Sequence, residues 1–276
     1  RDKFWAKQQK YAGNRPRPLA AASVGPYGAY LADGSEYRGD YKASRAELAD
    51  FHAERLALLC GAQPDLLACE TLPLLDEARA ILDDLRRYPD AGAWISFSCK
   101  DAEHTCGGDA IADCARLLDK ESQVAAIGVN CTAPQYVADL IRNIRAHTAK
   151  PVVVYPNTGE TYDAVTKTWH GSPTPYHDFV RQWYEAGARL IGGCCRTTPD
   201  DIRGIAAFRA SACMRDNSFP RIMSMLSSQM LTILNFQRQT ARSRHTSRAR
   251  MENSGTITRS GRPCRRMRAR PEGTRR

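Results

Sequence analysis

Apolar residues in this chain gather in short unbroken runs: Leu19–Val24, Leu66–Cys69, Ala93–Ser98, Val124–Val129, Val152–Tyr155 and Arg189–Ile191. Strands covered on both faces read this way, so the runs predict a mostly parallel sheet. Between them the apolar positions change to helical spacing. Ser44 with Glu47 forms a capping box ahead of Leu48, Phe51, Leu58 and Leu59, and Gly61 supplies a stop. Leu75, Ala78, Leu82 and Leu85 repeat on one helical face, as do Val137, Leu140, Ile141 and Ile144. Phe179, Val180 and Trp183 mark another helix, and Thr198-Pro199 opens the last with a cap and a first-turn proline. Residues 1–18 offer one helix-like piece with Phe4, Trp5, Gln8 and Tyr11, followed by a Pro-rich turn.

Six βα units over residues 19–210 imply an α/β fold. Two closures compete, an open doubly wound sheet and a (β/α)8 barrel. A complete barrel of about 250 residues needs two further strands, for which these residues leave no room. Periodicity alone does not choose between them. Beyond Ala210 the pattern collapses: one apolar patch from Ile222 to Phe236 precedes a stretch of Arg, Ser, Thr and Gly. The predicted domains are therefore residues 1–210 and an Arg-rich, disordered tail over 211–276.

Charge follows the same division. Residues 211–276 hold 15 Arg and 3 acidic residues, a net of +12 against +10 for the whole chain, so the body carries a slight negative balance. Any affinity for nucleic acid is confined to the tail and would be unspecific, and that reading is the weaker one. No run reaches the roughly 18 apolar residues of a membrane helix, which predicts no membrane partner. The opening Arg1-Asp2-Lys3 lacks the apolar core of a leader, and the expected location is cytoplasmic. The absent starting Met suggests a fragment. No GxSxG elbow is present to support an α/β hydrolase.

Ten cysteines in such a chain point to reduced thiols, metal ligands or catalysis rather than to a disulfide framework. Three stand out. Cys131 ends the run beginning Val124, and Cys194 and Cys195 follow Gly192-Gly193 after the last run. Strand C-termini of a parallel sheet share one edge, which brings these thiols toward one another. Adjacent residues on a strand face opposite ways, so Cys194 and Cys195 can join one metal only if the backbone leaves strand geometry. The two preceding glycines make such a turn inexpensive. Three thiolates leave one position free on a tetrahedral zinc, as a catalytic site requires; the plainer reading is three small buried hydrophobes. Cys60, Cys69, Cys99 and Cys114 sit in core-like segments, Cys106 in a loop, and His104 and His170 read as solvated.

Five motifs then carry a family likeness: SVGPYGAYLADGSEYRGDY (Ser23–Tyr41), ACET (Ala68–Thr71), GVNC (Gly128–Cys131), VVYPNTGETYD (Val153–Asp163) and GGCCRTTP (Gly192–Pro199). Over roughly residues 1–210 the chain resembles the homocysteine S-methyltransferases, most closely those using S-methylmethionine. The resemblance implies a zinc-dependent (β/α)8 barrel, here lacking the family's first two βα units and the acidic-glycine motif that helps hold homocysteine. It implies zinc on Cys131, Cys194 and Cys195, and methyl transfer to L-homocysteine from S-methylmethionine or S-adenosylmethionine. Glu70 is the implied partner of the homocysteine ammonium, with Asn130 and Asn157 as further substrate-binding candidates. Asn130 also reads as a group orienting Cys131, while Asn157 and Glu160, in the loop after Val152–Tyr155, read either as substrate-binding or as turn residues. Tyr27, Tyr30 and Trp169 offer π faces to a sulfonium, or simply pack. The missing units predict impaired catalysis, or a non-catalytic remnant that keeps the zinc cysteines.

Overall fold

The computed structural model describes residues 2–11 and 17–213. In chain order its elements are α1 (Asp2–Gln8), β1 (Ala21–Val24), α2 (Tyr27–Leu31), α3 (Arg45–Gly61), β2 (Leu66–Leu72), α4 (Leu75–Leu85), β3 (Ala93–Phe97), α5 (Ile111–Asp119) and β4 (Val124–Asn130). They continue with α6 (Pro134–Arg145), β5 (Val152–Tyr155), the short β6 (Thr161–Asp163) and β7 (Thr168–His170), α7 (His177–Ala186), β8 (Ala188–Ile191) and α8 (Pro199–Cys213). All six apolar runs became strands, and α8 extends three residues past the expected boundary at Ala210. The tail from residue 214 onward, with its predicted disorder, lies outside the described residues.

The six principal strands form one parallel sheet in the order β1-β2-β3-β4-β5-β8. Each strand lies beside the one before it. A doubly wound sheet reverses direction at a switch point, whereas a barrel adds strands in one rotational sense, so this order is of the barrel type. Among the described residues β1 pairs only with β2 and β8 only with β5, which leaves the sheet open at both ends.

Alternation within each run sorts side chains to two faces. Val24, Leu67, Cys69, Ile95, Phe97, Ile127, Val129, Val152, Val154 and Ile191 pack outward with the helices in the main core. Helix α4 supplies Ala78, Ile81, Leu82 and Leu85, and α6 supplies Val137, Leu140, Ile141 and Ile144, so the predicted stripes are the buried ones. The opposite face carries a smaller cluster of Ala68, Trp94, Ala126, Val153, Tyr155 and Leu190. Both faces are dry, which is why the runs are continuous.

Local signals mostly held. Ser44 and Glu47 form the reciprocal capping box at α3. The stop differs: Gly61 stays within the helix, and the left-handed turn falls on Gln63 (φ 51°). Thr198 caps α8 with Asp201 returning to its backbone N–H (2.7 Å). Helix α5 and the antiparallel β6–β7 hairpin were not anticipated.

Candidate metal centre

Two steps above the small inner-face cluster, toward the C-terminal edge, the same face turns polar. Ala68 is followed by Glu70, Trp94 by Ser96, and Ala126 by Gly128 and Asn130; Ser23 stands beside them on β1. These groups satisfy one another. The Asn130 amide oxygen accepts from the Thr71 N–H (2.7 Å) and the Ser96 hydroxyl (2.8 Å), while its Nδ2 donates to Thr71 Oγ1 (2.7 Å). Trp94 Nε1 donates to the Tyr155 hydroxyl (2.8 Å), itself 2.6 Å from Ser96 Oγ. Ser23 donates to Glu70 Oε1 (2.6 Å). Burial pushes the Glu70 carboxyl up, countered by the Ser23 and Tyr155 hydroxyls. Gly128 is required where it stands: a Cβ there would lie 1.6 Å from the Val153 carbonyl oxygen on β5.

Directly beyond this layer lie the three cysteines. Strand β4 ends at Asn130, and Cys131 turns out of it with φ 48°, a conformation uncommon for a residue with a side chain, its N–H donating to the Tyr155 carbonyl (3.2 Å). Strand β8 ends at Ile191. Gly192 donates to the Val154 carbonyl and Cys194 to the Pro156 carbonyl, both at 2.9 Å, and the chain then turns at Cys195-Arg196. Gly193 packs so tightly on Thr197 that a Cβ would approach its Oγ1 to 2.4 Å. The Tyr176 hydroxyl reaches the Pro156 (3.1 Å) and Gly192 (2.7 Å) carbonyls and ties the two strand ends together. The backbone does leave strand geometry here, and adjacent cysteines thereby face one point.

Sγ of Cys195 is 3.8 Å from Sγ of Cys131 and 3.9 Å from Sγ of Cys194, and all three sulfurs lie within 4.8 Å of one another. A disulfide needs about 2.05 Å. A tetrahedral zinc with Zn–S near 2.3 Å sets its sulfurs about 3.8 Å apart, so the donor set fits such an ion. Charge agrees with this. Thiol hydrogen bonds from Cys131 and Cys194 push Cys195 down to about 3, whereas Cys194, which shares its proton with Cys131 and Cys195, is pushed well above the ordinary thiol range. The cluster accepts one negative charge readily and resists the next, which a divalent cation reverses.

Around the sulfurs stand two residues that sequence reasoning did not single out, Tyr37 and Tyr162, together with several that it did. The Tyr37 hydroxyl lies 3.8 Å from Cys195 Sγ, and burial with the three neighbouring sulfurs pushes its phenol up. Tyr162 packs on Tyr37 with ring centroids 5.9 Å apart, and Trp169 on Tyr162 at 5.0 Å. Asn157 is buried and folds back on its own turn, its Oδ1 accepting from the Gly159 N–H (2.9 Å). Glu160 Oε1 accepts from Arg196 Nε (3.2 Å), linking that turn to the Cys194-Cys195 loop. Tyr27 and Tyr30 belong to a separate aromatic cluster with Tyr41 and Phe51. His104 pairs with Asp101, and His170 is exposed.

The described residues contain no helix long and apolar enough to cross a membrane. The family model for homocysteine S-methyltransferase matches residues 3–208. A homocysteine S-methyltransferase of Bacillus subtilis is 53% identical over 213 residues, covering 76% of this chain and 67% of that protein. One from Escherichia coli is 48% identical, covering 72% and 66%. The crystal structure of the Escherichia coli homocysteine methyltransferase MmuM in its metallated form superposes with TM-score 0.64 at 42% identity, over 75% of this chain and 65% of that one. The chain thus spans about two thirds of the length of these relatives. On the family model and on these identities, the chain belongs to the homocysteine S-methyltransferase family.

Proposed function

We propose that this site transfers a methyl group from a sulfonium donor, S-methylmethionine or S-adenosylmethionine, to the thiol of L-homocysteine, giving methionine. The observation that carries the reading is the convergence of three sulfurs at the C-terminal edge of a barrel-type sheet. Cys131, Cys194 and Cys195 are the ligands for zinc, which soft thiolate donors select. Bound there, zinc offers a free position to an incoming thiol and keeps that thiol ionised near neutral pH.

The chain's own groups then position the reactants. Glu70, on the inner face beside the sulfurs, faces the amino end of homocysteine, and an arriving ammonium would restore its charged form against the burial that opposes it. Asn130 holds the strand end that carries Cys131, and its amide is already engaged by Thr71 and Ser96, so its role is to place the ligand. Asn157 shapes the turn flanking the cluster. The donor's charge vanishes as its methyl leaves, so the protein gains more from aligning the S–CH3 bond than from holding the cation tightly.

A second reading, a site that keeps zinc but lacks turnover, is favoured by the sheet, which among the described residues is open at both ends. One experiment separates the two: purify the full chain, measure zinc, and assay methionine formation from homocysteine plus S-methylmethionine. Zinc with turnover supports transfer, zinc without turnover supports the second reading, and absence of zinc defeats both.

A further inference from the structure

The segment joining α2 to α3 meets the β6–β7 hairpin beside Cys195. Lys167 of the hairpin donates to the Ala32 carbonyl, and Gly34 packs so closely that a Cβ would lie 2.6 Å from Ala164. A row of rings runs outward from the cluster, Tyr37 to Tyr162 to Trp169. Next to Tyr37 stands Glu36, whose Oε2 is fully enclosed and has no hydrogen-bond partner among the described residues. Enclosed carboxylate oxygens are ordinarily paired, so this one calls for an explanation.

Two cations lie near it, and neither hydrogen-bonds that oxygen. The Lys167 ammonium donates to the Ala32 carbonyl. The Arg38 guanidinium is taken by Asp40 (2.8 Å) and by the Asp33 carbonyl (3.0 Å). Burial pushes the Glu36 carboxyl up and the Asp33 charge adds to this, against the smaller opposing charges of Lys167 and Arg38. The Tyr162 phenol is raised by burial and then by the charges of Glu36, Cys195 and Asp163.

We propose that Glu36, with the rings of Tyr162 and Trp169, is the receptor for the sulfonium group of the methyl donor. The proposal rests on the methyl-transfer reading of the sulfur cluster and adds where the donor binds. A sulfonium is a soft cation carrying alkyl groups: a carboxylate neutralises its charge, and aromatic faces take its polarised S–CH groups. In the reaction the acceptor thiol has given its proton to solvent. Its sulfur lone pair forms the new S–CH3 bond while the donor's S–CH3 bond breaks, and that electron pair leaves with the donor sulfur as a neutral thioether. Glu36 therefore binds the donor better than it binds either the transition state or the product. It lowers the donor's KM and favours discharge of the thioether, and it does not raise kcat.

The test is calorimetric titration of the full chain, loaded with zinc, against S-methylmethionine, S-adenosylmethionine and the neutral thioether methionine. Zinc content and homocysteine binding are measured on the same samples. The parent should bind a sulfonium at least tenfold more tightly than methionine, and whichever sulfonium binds more tightly identifies the donor. Glu36→Gln should abolish that preference while leaving methionine affinity within about twofold, Trp169→Leu should weaken sulfonium binding in part, and Glu54→Gln, an exposed carboxylate on α3, should change nothing. Retained zinc and homocysteine binding with an intact sulfonium preference in Glu36→Gln, or with no preference in the parent, overturns this proposal alone. Loss of zinc and homocysteine binding in the parent overturns the transfer reading beneath it.

Discussion

Asn130 is the side chain on which the geometry of the site most depends, and Asn130→Ala is the perturbation that measures it. Three hydrogen bonds of 2.7–2.8 Å disappear, and the Thr71 N–H and Ser96 hydroxyl lose their acceptor in a buried layer. At about 1 kcal/mol net for each bond, the loss is about 3 kcal/mol, rising toward about 5 if the abandoned groups find no water. An opposing contribution exists. Thr71 sits at φ 61°, an unfavourable conformation for a β-branched residue, and freeing it returns part of the 1–3 kcal/mol such strain typically holds. The net expectation is a destabilisation of about 2–4 kcal/mol, or a Tm lowered by roughly 4–16 °C for a domain of this size. Urea unfolding and a thermal melt read it directly. Asn130→Asp, which still accepts from Thr71 and Ser96, should recover much of the loss. Thr71→Gly should be less harmful in the Asn130→Ala background than in the parent. If Asn130→Ala melts within about 1 °C of the parent, the polar layer is not holding the strand end and the account of Cys131 placement fails.

Two further outcomes follow from the same layer and its surroundings. Gly128→Ala forces β4 and β5 apart at a backbone oxygen that no rotamer change can move, so it should destabilise at or above the upper end of the usual 1–3 kcal/mol for overpacking and reduce zinc binding, as denaturant titration and zinc content will show. Glu36 has a raised carboxyl in the folded state, so its contribution to stability is fully present below the ordinary carboxylate range and is lost as pH rises through its folded value. Glu36→Gln should therefore melt close to the parent near roughly pH 4 and above it near roughly pH 7.5; an equal difference at both would show that the carboxyl is not perturbed by folding.

Much of the fold was legible because a parallel sheet dry on both faces leaves unbroken apolar runs, and all six runs became strands. The meeting of Cys131 with Cys194 and Cys195 was legible for a related reason: C-terminal strand ends share an edge, and Gly192-Gly193 signalled the turn that lets neighbouring cysteines face one point. Helix α5 escaped notice because its buried stripe, Ile111, Cys114, Ala115 and Leu118, is half made of small residues that give a faint period. The β6–β7 hairpin is short, largely exposed and polar, with no alternation to read. Tyr37, Tyr162 and Glu36 were invisible as site residues because only tertiary contact brings them there; Tyr37 meets Cys195 across 158 positions of sequence. Asn130 was read from its place next to Cys131, but its partners Thr71 and Ser96 come from strands whose register a sequence does not reveal.

The most direct measurement is the zinc content of the purified chain and of Cys131→Ser, Cys194→Ser and Cys195→Ser, determined after dialysis against a weak chelator with folding checked by circular dichroism. The account predicts about one equivalent of zinc in the parent and its loss in each folded variant. A folded parent without zinc, or zinc retained when any one of these sulfurs is removed, would contradict it.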